Sequence, residues 1–208
     1  MGNSESYYQH FRSDILEILP QSAKNVLSVG CAAGVTEAEL VKRGHFVVGV
    51  EVNPKAAQAA KERGIAVLEG DVETVDISRL CNSYDCLLYA DVLEHLRDPG
   101  DILRKHVQFL REGGIVYISV PNFRHYSVFS HLFIKGNIPY QEAGIFDKTH
   151  IRMTTNAMVH QWCKEAGLCV TKYRYAIHGR RDQLISKCFF GLIAKFMGSQ
   201  IVVVSIKS

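Results

Sequence analysis

A bend bracketed by two glycines, Gly30-Cys-Ala-Ala-Gly34, follows the apolar run Val26–Val29. Glycines allow the chain to turn sharply and bring the backbone close to a ligand. Glu51 follows a second apolar run, Phe46–Val50, about twenty residues beyond the bend. At this spacing, an acidic side chain at the tip of a neighbouring strand can accept hydrogen bonds from a ribose. The residue types and their spacing therefore indicate a site for a nucleoside-containing cofactor.

The glycine pattern narrows the choice of cofactor. A dinucleotide site requires G-x-G-x-x-G, and Gly30-Cys-Ala-Ala-Gly34 lacks the middle glycine. The stretch Val26–Val35 resembles the first motif of the Rossmann-like S-adenosylmethionine (SAM)-dependent methyltransferases, V-L-D-x-G-C-G-x-G. Ser28 stands at the aspartate position of that motif, and the bend has Ala32-Ala33 where the motif has a glycine followed by any residue. The resemblance implies that SAM binds against the bend, at Gly30, Cys31, Ala32 and Gly34.

Later positions match the same family in the expected order. The resemblance implies that the following residues also bind the cofactor: Glu51, Val52, Asp71, Val72, Ala90 and Asp91. It places the ribose hydroxyls at Glu51 and the adenine amino group at Asp71, with the Val72 amide beside it. Ala90 and Asp91 would line the methionine end. The structural alternatives are a solvated charge at a strand end for Glu51 and a helix cap for Asp71.

Two histidines are the candidate catalytic residues. Asp91-Val-Leu-Glu-His-Leu96 resembles a segment of many small-molecule methyltransferases, including the ubiquinone-biosynthesis O-methyltransferases. Phe146–Thr155, which contains His150, resembles a stretch found in methyltransferases of surface-polysaccharide clusters. His95 or His150 could act as a general base on a substrate hydroxyl, because imidazole titrates near neutral pH. Alternatively, Glu94 and His95 hold loops together by hydrogen bonds.

The same segment admits a metal alternative. Asp91, Glu94, His95 and His150 resemble the E-x-x-E-H plus His set of the small-RNA 2′-O-methyltransferases, which could bind a divalent ion and polarise a hydroxyl. The first position is Asp here rather than Glu, and most relatives with D-V-L-E-H-L need no metal to explain the motif. The favoured interpretation therefore includes no metal.

Alternating apolar strands and helical segments position these residues. Five strands precede residue 122, and a predicted helix at 98–110 ends at Gly113-Gly114. Two late strands, Leu168–Ile177 and Gln200–Ile206, follow without the usual crossover. The pattern predicts an α/β fold with a doubly wound, mostly parallel, seven-stranded sheet and an antiparallel last strand. Residues 1–208 are expected to form one methyltransferase domain.

Two insertions interrupt this alternation, at about 122–150 and 178–199. The first is rich in aromatic residues, and such long loops are usually lids or binding loops, although a helical excursion that covers the core is an alternative. The second contains the apolar segment Leu184–Phe196. We expect the acceptor to bind at these insertions, which could also touch a membrane or a second subunit.

Composition limits the remaining classes of partner and cellular compartment. The formal net charge is +3 with scattered Lys and Arg, which does not favour a nucleic-acid partner. The cysteines, at 31, 81, 86, 163, 169 and 188, form no C-x-x-C pair and are expected to be free thiols in a reducing cytoplasm. No apolar run is long enough to span a bilayer. We expect a cytoplasmic monomer or homodimer.

The sequence therefore predicts a SAM-dependent methyltransferase that acts on oxygen of a small molecule or glycan precursor. One alternative is a methyltransferase of the same fold that acts on a lipid-like quinone at the membrane surface. A second is a non-catalytic SAM-binding module, suggested by Ser28 and Ala33. The sequence contains no nucleophile elbow and no Walker lysine.

Overall fold

A computed structural model describes residues 11–77, 83–177 and 193–208 of the chain. These residues form a seven-stranded sheet in the order β3-β2-β1-β4-β5-β7-β6. The strands are β1 Asn25–Val29, β2 Phe46–Glu51, β3 Ala66–Glu69, β4 Tyr84–Ala90, β5 Leu110–Pro121, β6 Leu168–Ala176 and β7 Gln200–Lys207. Strand β7 is antiparallel to both β5 and β6, and the pairs among β1 to β5 are parallel. The predicted fold class is confirmed.

Helices cover both faces of the sheet. They are α1 Ser13–Ile18, α2 Val35–Lys42, α3 Pro54–Glu62, α4 Pro99–Val107, α5 Tyr126–Phe129, α6 Asn156–Glu165 and α7 Ala194–Met197, with a 3₁₀ turn at Leu93–His95 and a π turn at Ser130–Ile134. One buried cluster joins α1, α2 and α3 to the sheet, and the other joins α4 and α6 to its opposite face. The chain therefore folds as the doubly wound sandwich that alternating strands and helices require.

Local sequence explains where several helices begin. The side chain of Asn53 accepts hydrogen bonds from the Lys55 and Ala56 amides, and Pro54 occupies the first helical position of α3. Thr155 accepts a hydrogen bond from the Met158 amide and caps α6. Asn and Thr are residue types that commonly cap the start of a helix, so local sequence explains where both helices begin.

Two boundaries were predicted wrongly. The helix expected at 98–110 ends at Val107, and β5 begins at Leu110 rather than after Gly113-Gly114. Leu110 pairs with Tyr84, and the register between β4 and β5 shifts before Ile115. Gly113 has a positive φ of 71° within this irregular stretch. A glycine that looks like a helix stop thus lies inside a bulged strand.

Part of the second insertion, including most of the apolar segment 184–196, lies outside the described residues. Cys81 and Cys188 lie outside them too, whereas Cys31, Cys86 and Cys163 are buried free thiols and Cys169 is an exposed one. In the described ranges, no helix combines the length and apolar composition that a membrane crossing requires.

Candidate active site

A cavity of about 1280 Å³ opens at the carboxyl ends of β1, β2 and β4. Parallel sheets bind ligands at this edge, where the strand order reverses, and β1 with β4 forms that switch point here. The volume exceeds the range of roughly 300–1,000 Å³ that suits one small ligand. The predicted site residues that line the cavity are Gly30, Cys31, Ala32, Glu51, Val52, Asp71, Val72, Ala90, Asp91, His95 and His150.

The bend after β1 has the backbone conformation that its glycine pattern suggests. Gly30 has a φ of 68°, and a Cβ atom added there would lie 2.5 Å from Cγ2 of Val92. Ala32 also has a positive φ, of 49°, which is rare for a residue with a side chain. Backbone therefore forms the wall of the cavity at this turn.

Glu51 joins the bend to the end of β2. One of its carboxylate oxygens accepts a hydrogen bond from the Ala32 amide at 2.9 Å, and the other accepts one from the Asn53 amide at 2.8 Å. The side chain is buried, at 5% exposure, yet it borders the cavity. A carboxylate oxygen has two lone pairs, so each oxygen of Glu51 can accept a further hydrogen bond from a ligand hydroxyl.

Gly34 does not line the cavity, unlike the other predicted cofactor residues. It precedes α2 with a φ of 72°, and a Cβ atom there would overlap the side chain of Ile65 and lie 2.9 Å from Cβ of Ala60. Its role in the structure is to let the start of α2 approach α3 and β3. A glycine needed for close packing has the same sequence signature as one needed for a ligand.

Cys31 lies at the cavity wall and directly against Gly49 of β2. Burial, together with the nearby charges of Glu37 and Glu51, raises the pKa of the Cys31 thiol far above its ordinary value. The thiol therefore stays protonated at neutral pH. Cys31 serves as a small apolar wall residue rather than as a nucleophile.

Ser28 has a partner that the sequence did not reveal. Its hydroxyl donates a hydrogen bond to Glu37 of α2 at 2.6 Å. Glu37 is buried, lines the cavity, and has a pKa raised by burial despite the hydrogen bond from Ser28. A carboxyl group therefore stands close to the position of the missing motif aspartate, but it comes from the following helix.

Asp91 follows β4 with a positive φ of 57° and lies at the other side of the cavity. Arg12 Nη1 donates to one of its oxygens at 2.8 Å, and Gln200 Nε2 donates to the other at 2.7 Å. Arg12 and Gln200 line the cavity as well. Neither was identified from the sequence, because they are separated from Asp91 by 79 and 109 residues.

The remaining predicted residues form a cluster between the 3₁₀ turn and the end of the first insertion. His150 Nε2 lies 3.8 Å from Oε1 of Glu94, and the rings of His95 and His150 have centroids 4.8 Å apart. Burial and the neighbouring His95 lower the pKa of His150. Burial, with the charge of Asp91 as a further cause, raises the pKa of Glu94. The structure brings His95, Glu94 and His150 together and leaves Asp91 bound to Arg12 and Gln200.

Asp71 begins the turn after β3. Its carboxylate accepts a hydrogen bond from the Glu73 amide at 2.9 Å while the residue borders the cavity. Both interpretations of this residue, a local cap and a ligand contact, are compatible with this arrangement.

A family model described as Methyltransferase domain matches residues 3–173 of the chain. Among proteins of assigned function, tRNA 5-carboxymethoxyuridine methyltransferase of Escherichia coli K12 is 28% identical over 165 residues, which cover 74% of this chain and 62% of that protein. A ubiquinone biosynthesis O-methyltransferase of Escherichia coli O7:K1 is 33% identical over 105 residues, which cover 48% of this chain and 43% of that protein. These alignments span less than two thirds of each relative's own length.

Solved structures share the fold. A SAM-dependent methyltransferase from Archaeoglobus fulgidus superposes with a TM-score of 0.69 at 17% identity and covers 99% of this chain and 95% of its own. A putative methyltransferase from Haloferax volcanii, in complex with an activator, gives 0.70 at 17% identity, covering 98% and 91%. The family match over most of the chain and the shared sheet show that this chain belongs to the class I SAM-dependent methyltransferases, in the family described as Methyltransferase domain.

Proposed function

We propose that the protein transfers a methyl group from SAM to a hydroxyl oxygen of a small molecule or glycan precursor. The observation that carries this proposal is one cavity with two chemically different ends. Backbone and the Glu51 carboxylate form one end, and the imidazoles of His95 and His150 form the other. The first end suits a ribose, and the second suits a group that must lose a proton.

The residues of the bend and strand ends would hold the cofactor. Glu51 offers both carboxylate oxygens to ribose hydroxyls, and the backbone at Gly30 allows close approach. Glu37 and Asp91 supply carboxyl groups for the cationic methionine end. When bound, SAM supplies a methyl group on a sulfonium that leaves as a neutral thioether. The protein's task is then to align the acceptor and exclude water.

The two histidines would handle the proton of the acceptor hydroxyl. The lowered pKa of His150, caused by burial and by His95, leaves its imidazole neutral and able to accept a proton near neutral pH. Residues 141–145 and 147–150 of the first insertion also line the cavity. This part of the insertion would therefore contact the acceptor and cover it, as a lid does.

The relatives support oxygen as the accepting atom without deciding the acceptor. One is named an O-methyltransferase of ubiquinone biosynthesis, which favours transfer to oxygen and keeps the quinone alternative open. Another is named for a modified tRNA uridine. The chain's small net charge of +3 gives less support to a nucleic-acid acceptor.

The first experiment is calorimetric titration of the chain with S-adenosylhomocysteine. We expect Glu51→Gln to weaken binding by about 10–100-fold, because hydrogen bonds to a charged group contribute roughly 1.5–3 kcal/mol. Glu69→Gln is the matched control: Glu69 is the register partner of Glu51 at the end of β3, but it pairs with Lys61 and does not line the cavity. Equal affinity for all three proteins would contradict the proposed cofactor site.

A second experiment identifies the acceptor class. Catechols, sugars and nucleosides are incubated with SAM, and formation of S-adenosylhomocysteine and of methylated product is followed by mass spectrometry. We expect turnover with an acceptor that presents a hydroxyl. Tight binding of S-adenosylhomocysteine without turnover of any acceptor would favour the non-catalytic module instead.

A further inference from the structure

Three groups that commonly bind metals converge at the acceptor end of the cavity. Glu94 and His95 belong to the 3₁₀ turn after β4, and His150 ends the first insertion. One ligand atom from each lies within 4.8 Å of the other two. All three residues line the cavity. Two imidazoles and one carboxylate thus surround a single point that solvent and acceptor can reach.

Glu94 is the least expected member of this cluster. Its side chain is 0% exposed, and neither carboxylate oxygen meets a hydrogen-bond donor from another described residue. A buried carboxylate without a partner is strongly unfavourable, so such groups are normally paired or coordinate a metal. A cation placed between Glu94 and the imidazoles removes this cost.

Hydrogen bonds to Thr149 decide which ring nitrogen of His95 is free to bind a metal. The Thr149 hydroxyl donates to Asp147 at 2.6 Å, so its oxygen and the Thr149 carbonyl oxygen can only accept from Nδ1 of His95, each at 3.2 Å. Nδ1 therefore carries a proton, and Nε2 is the ring nitrogen that could bind a metal. Metal-binding histidines are characteristically held in this way, through the ring nitrogen that does not bind the metal.

The backbone holds the two halves of the cluster together. The amides of Ile151 and Arg152 both donate to the Glu94 carbonyl oxygen, at 3.1 and 3.0 Å. His150 is therefore placed against Glu94 by main-chain bonds that do not depend on any ligand. Preorganisation of this kind lowers the cost of gathering several ligands around one ion.

We propose that Glu94, His95 and His150 bind one divalent first-row transition cation, such as Zn²⁺, Mn²⁺ or Co²⁺, with open coordination positions that face the acceptor. The mixed nitrogen and oxygen donors favour these ions over Mg²⁺, which prefers oxygen ligands. The proposal differs from the four-residue set suggested by the sequence, since Asp91 is bound to Arg12 and Gln200. It also replaces the expectation that no metal takes part.

The cation would change how the acceptor hydroxyl loses its proton. With the imidazole lone pairs directed to the cation, a hydroxyl bound at an open position would become more acidic, because divalent cations lower the pKa of bound oxygen groups. Its proton would then pass to solvent water in the open cavity rather than to an imidazole. This role rests on the proposed methyl transfer to oxygen, whereas binding of the cation does not.

The test is a titration of the chelator-treated full chain with Co²⁺, whose visible absorption reports coordination by the protein, checked by equilibrium dialysis. We expect one equivalent to bind, with Glu94→Gln and His150→Asn each weakening binding by about 100-fold or more, since even outer-shell changes cost about 10–100-fold. Mg²⁺ should not displace Co²⁺. His160→Asn is the control, because His160 lies on α6 and does not line the cavity.

Each outcome separates this proposal from the proposed function, because the same samples are titrated with S-adenosylhomocysteine. If the parent protein binds S-adenosylhomocysteine but takes up no Co²⁺, the cation site alone is overturned. Uptake of Co²⁺ that both cluster variants retain would overturn it as well, and would assign the ion to surface groups. If Co²⁺ binds specifically but S-adenosylhomocysteine does not bind, the cation site is supported and the proposed methyl transfer is overturned.

Discussion

At the scale of single residues, the pairing of Ser28 with Glu37 shows how a departure from a motif can be offset elsewhere. Ser28 offers a hydroxyl where the family pattern has a carboxylate, and that hydroxyl donates to Glu37, whose side chain reaches the same cavity. A carboxylate oxygen of Glu37 thus lies 2.6 Å from the side chain at the motif's aspartate position, although Glu37 belongs to the following helix. A motif read alone suggests a weakened site, whereas the pair retains an acidic group there.

Gly34 allows a prediction that separates packing from ligand binding. Gly34→Ala should lower the free energy of unfolding by about 1–3 kcal/mol more than Gly64→Ala, the cost of overpacking a tight contact. Both glycines have positive φ, 72° and 85°, but a Cβ atom at Gly34 would overlap Ile65 and one at Gly64 would meet nothing within 4 Å. Urea denaturation of both variants measures the difference. Equal losses would mean that backbone conformation alone matters at Gly34.

The sequence predicts those cavity-lining residues that follow a strand at a fixed distance. Gly30, Glu51 and Asp71 fall in this class, because apolar strands and turn residues are visible locally. Arg12 and Gln200 could not be predicted, since their contact with Asp91 depends on how distant segments pack. Asp91 contacts Arg12 and Gln200, whereas Glu94, three residues later, lies beside His95 and His150. This difference depends on the same long-range contacts.

At the scale of elements, helix α4 carries a buried histidine that makes stability depend on pH. Nδ1 of His106 lies 2.7 Å from the Tyr89 hydroxyl of β4, and His106 is 4% exposed. Burial raises the pKa of the Tyr89 phenol, which therefore keeps its proton and can donate a hydrogen bond to the imidazole. Burial and then the charge of Lys105 lower the pKa of His106 from 6.5 to about 4. The folded protein thus holds this imidazole neutral.

A folded-state pKa below the unfolded value gives stability that is present above pH 6.5 and is lost as the pH falls toward the folded pKa of about 4. We expect the parent to lose about 2 kcal/mol from this group between about pH 8 and about pH 5. Urea denaturation at both pH values should show a smaller loss for His106→Gln, whose side chain does not titrate. An equal loss in parent and variant would show that His106 is not the responsible group.

The elements themselves were predictable to different degrees. Strands β1, β2 and β4 are mostly apolar, and α3 begins at Asn53-Pro54, so local sequence suffices for them. The start of β5 is different, because Arg111 and Glu112 are polar and exposed and Gly113-Gly114 resembles a helix end. Pairing of Leu110 with Tyr84 places this stretch in the sheet. Tertiary contact overrides local propensity there.

At the scale of the whole molecule, one charged network joins the start of the described chain to its last strand. Arg12 precedes α1, and its guanidinium donates to Asp91 at 2.8 Å, to Tyr117 at 2.7 Å and to Asp14 at 3.1 Å. Gln200 of β7 donates to Asp91 from the other side. The Arg12 side chain is 12% exposed. The network therefore links, at the wall of the cavity, segments that are far apart in sequence.

Replacing Arg12 by Met tests how much this network contributes to the free energy of unfolding. Arg12→Met keeps most of the apolar stem but removes the guanidinium from Asp91 and leaves Arg174 as the cation beside Asp14. It should lower the free energy of unfolding by about 2–4 kcal/mol, less than the full cost of breaking a wholly buried pair, because both carboxylates are partly exposed. Arg104→Met is the control, since its pair with Asp101 lies at the surface and such pairs contribute little. Urea denaturation measures the free energy of unfolding that each variant loses. Similar stability of the two variants would show that the network is screened like a surface pair, and that packing rather than the ion pairs holds these segments together.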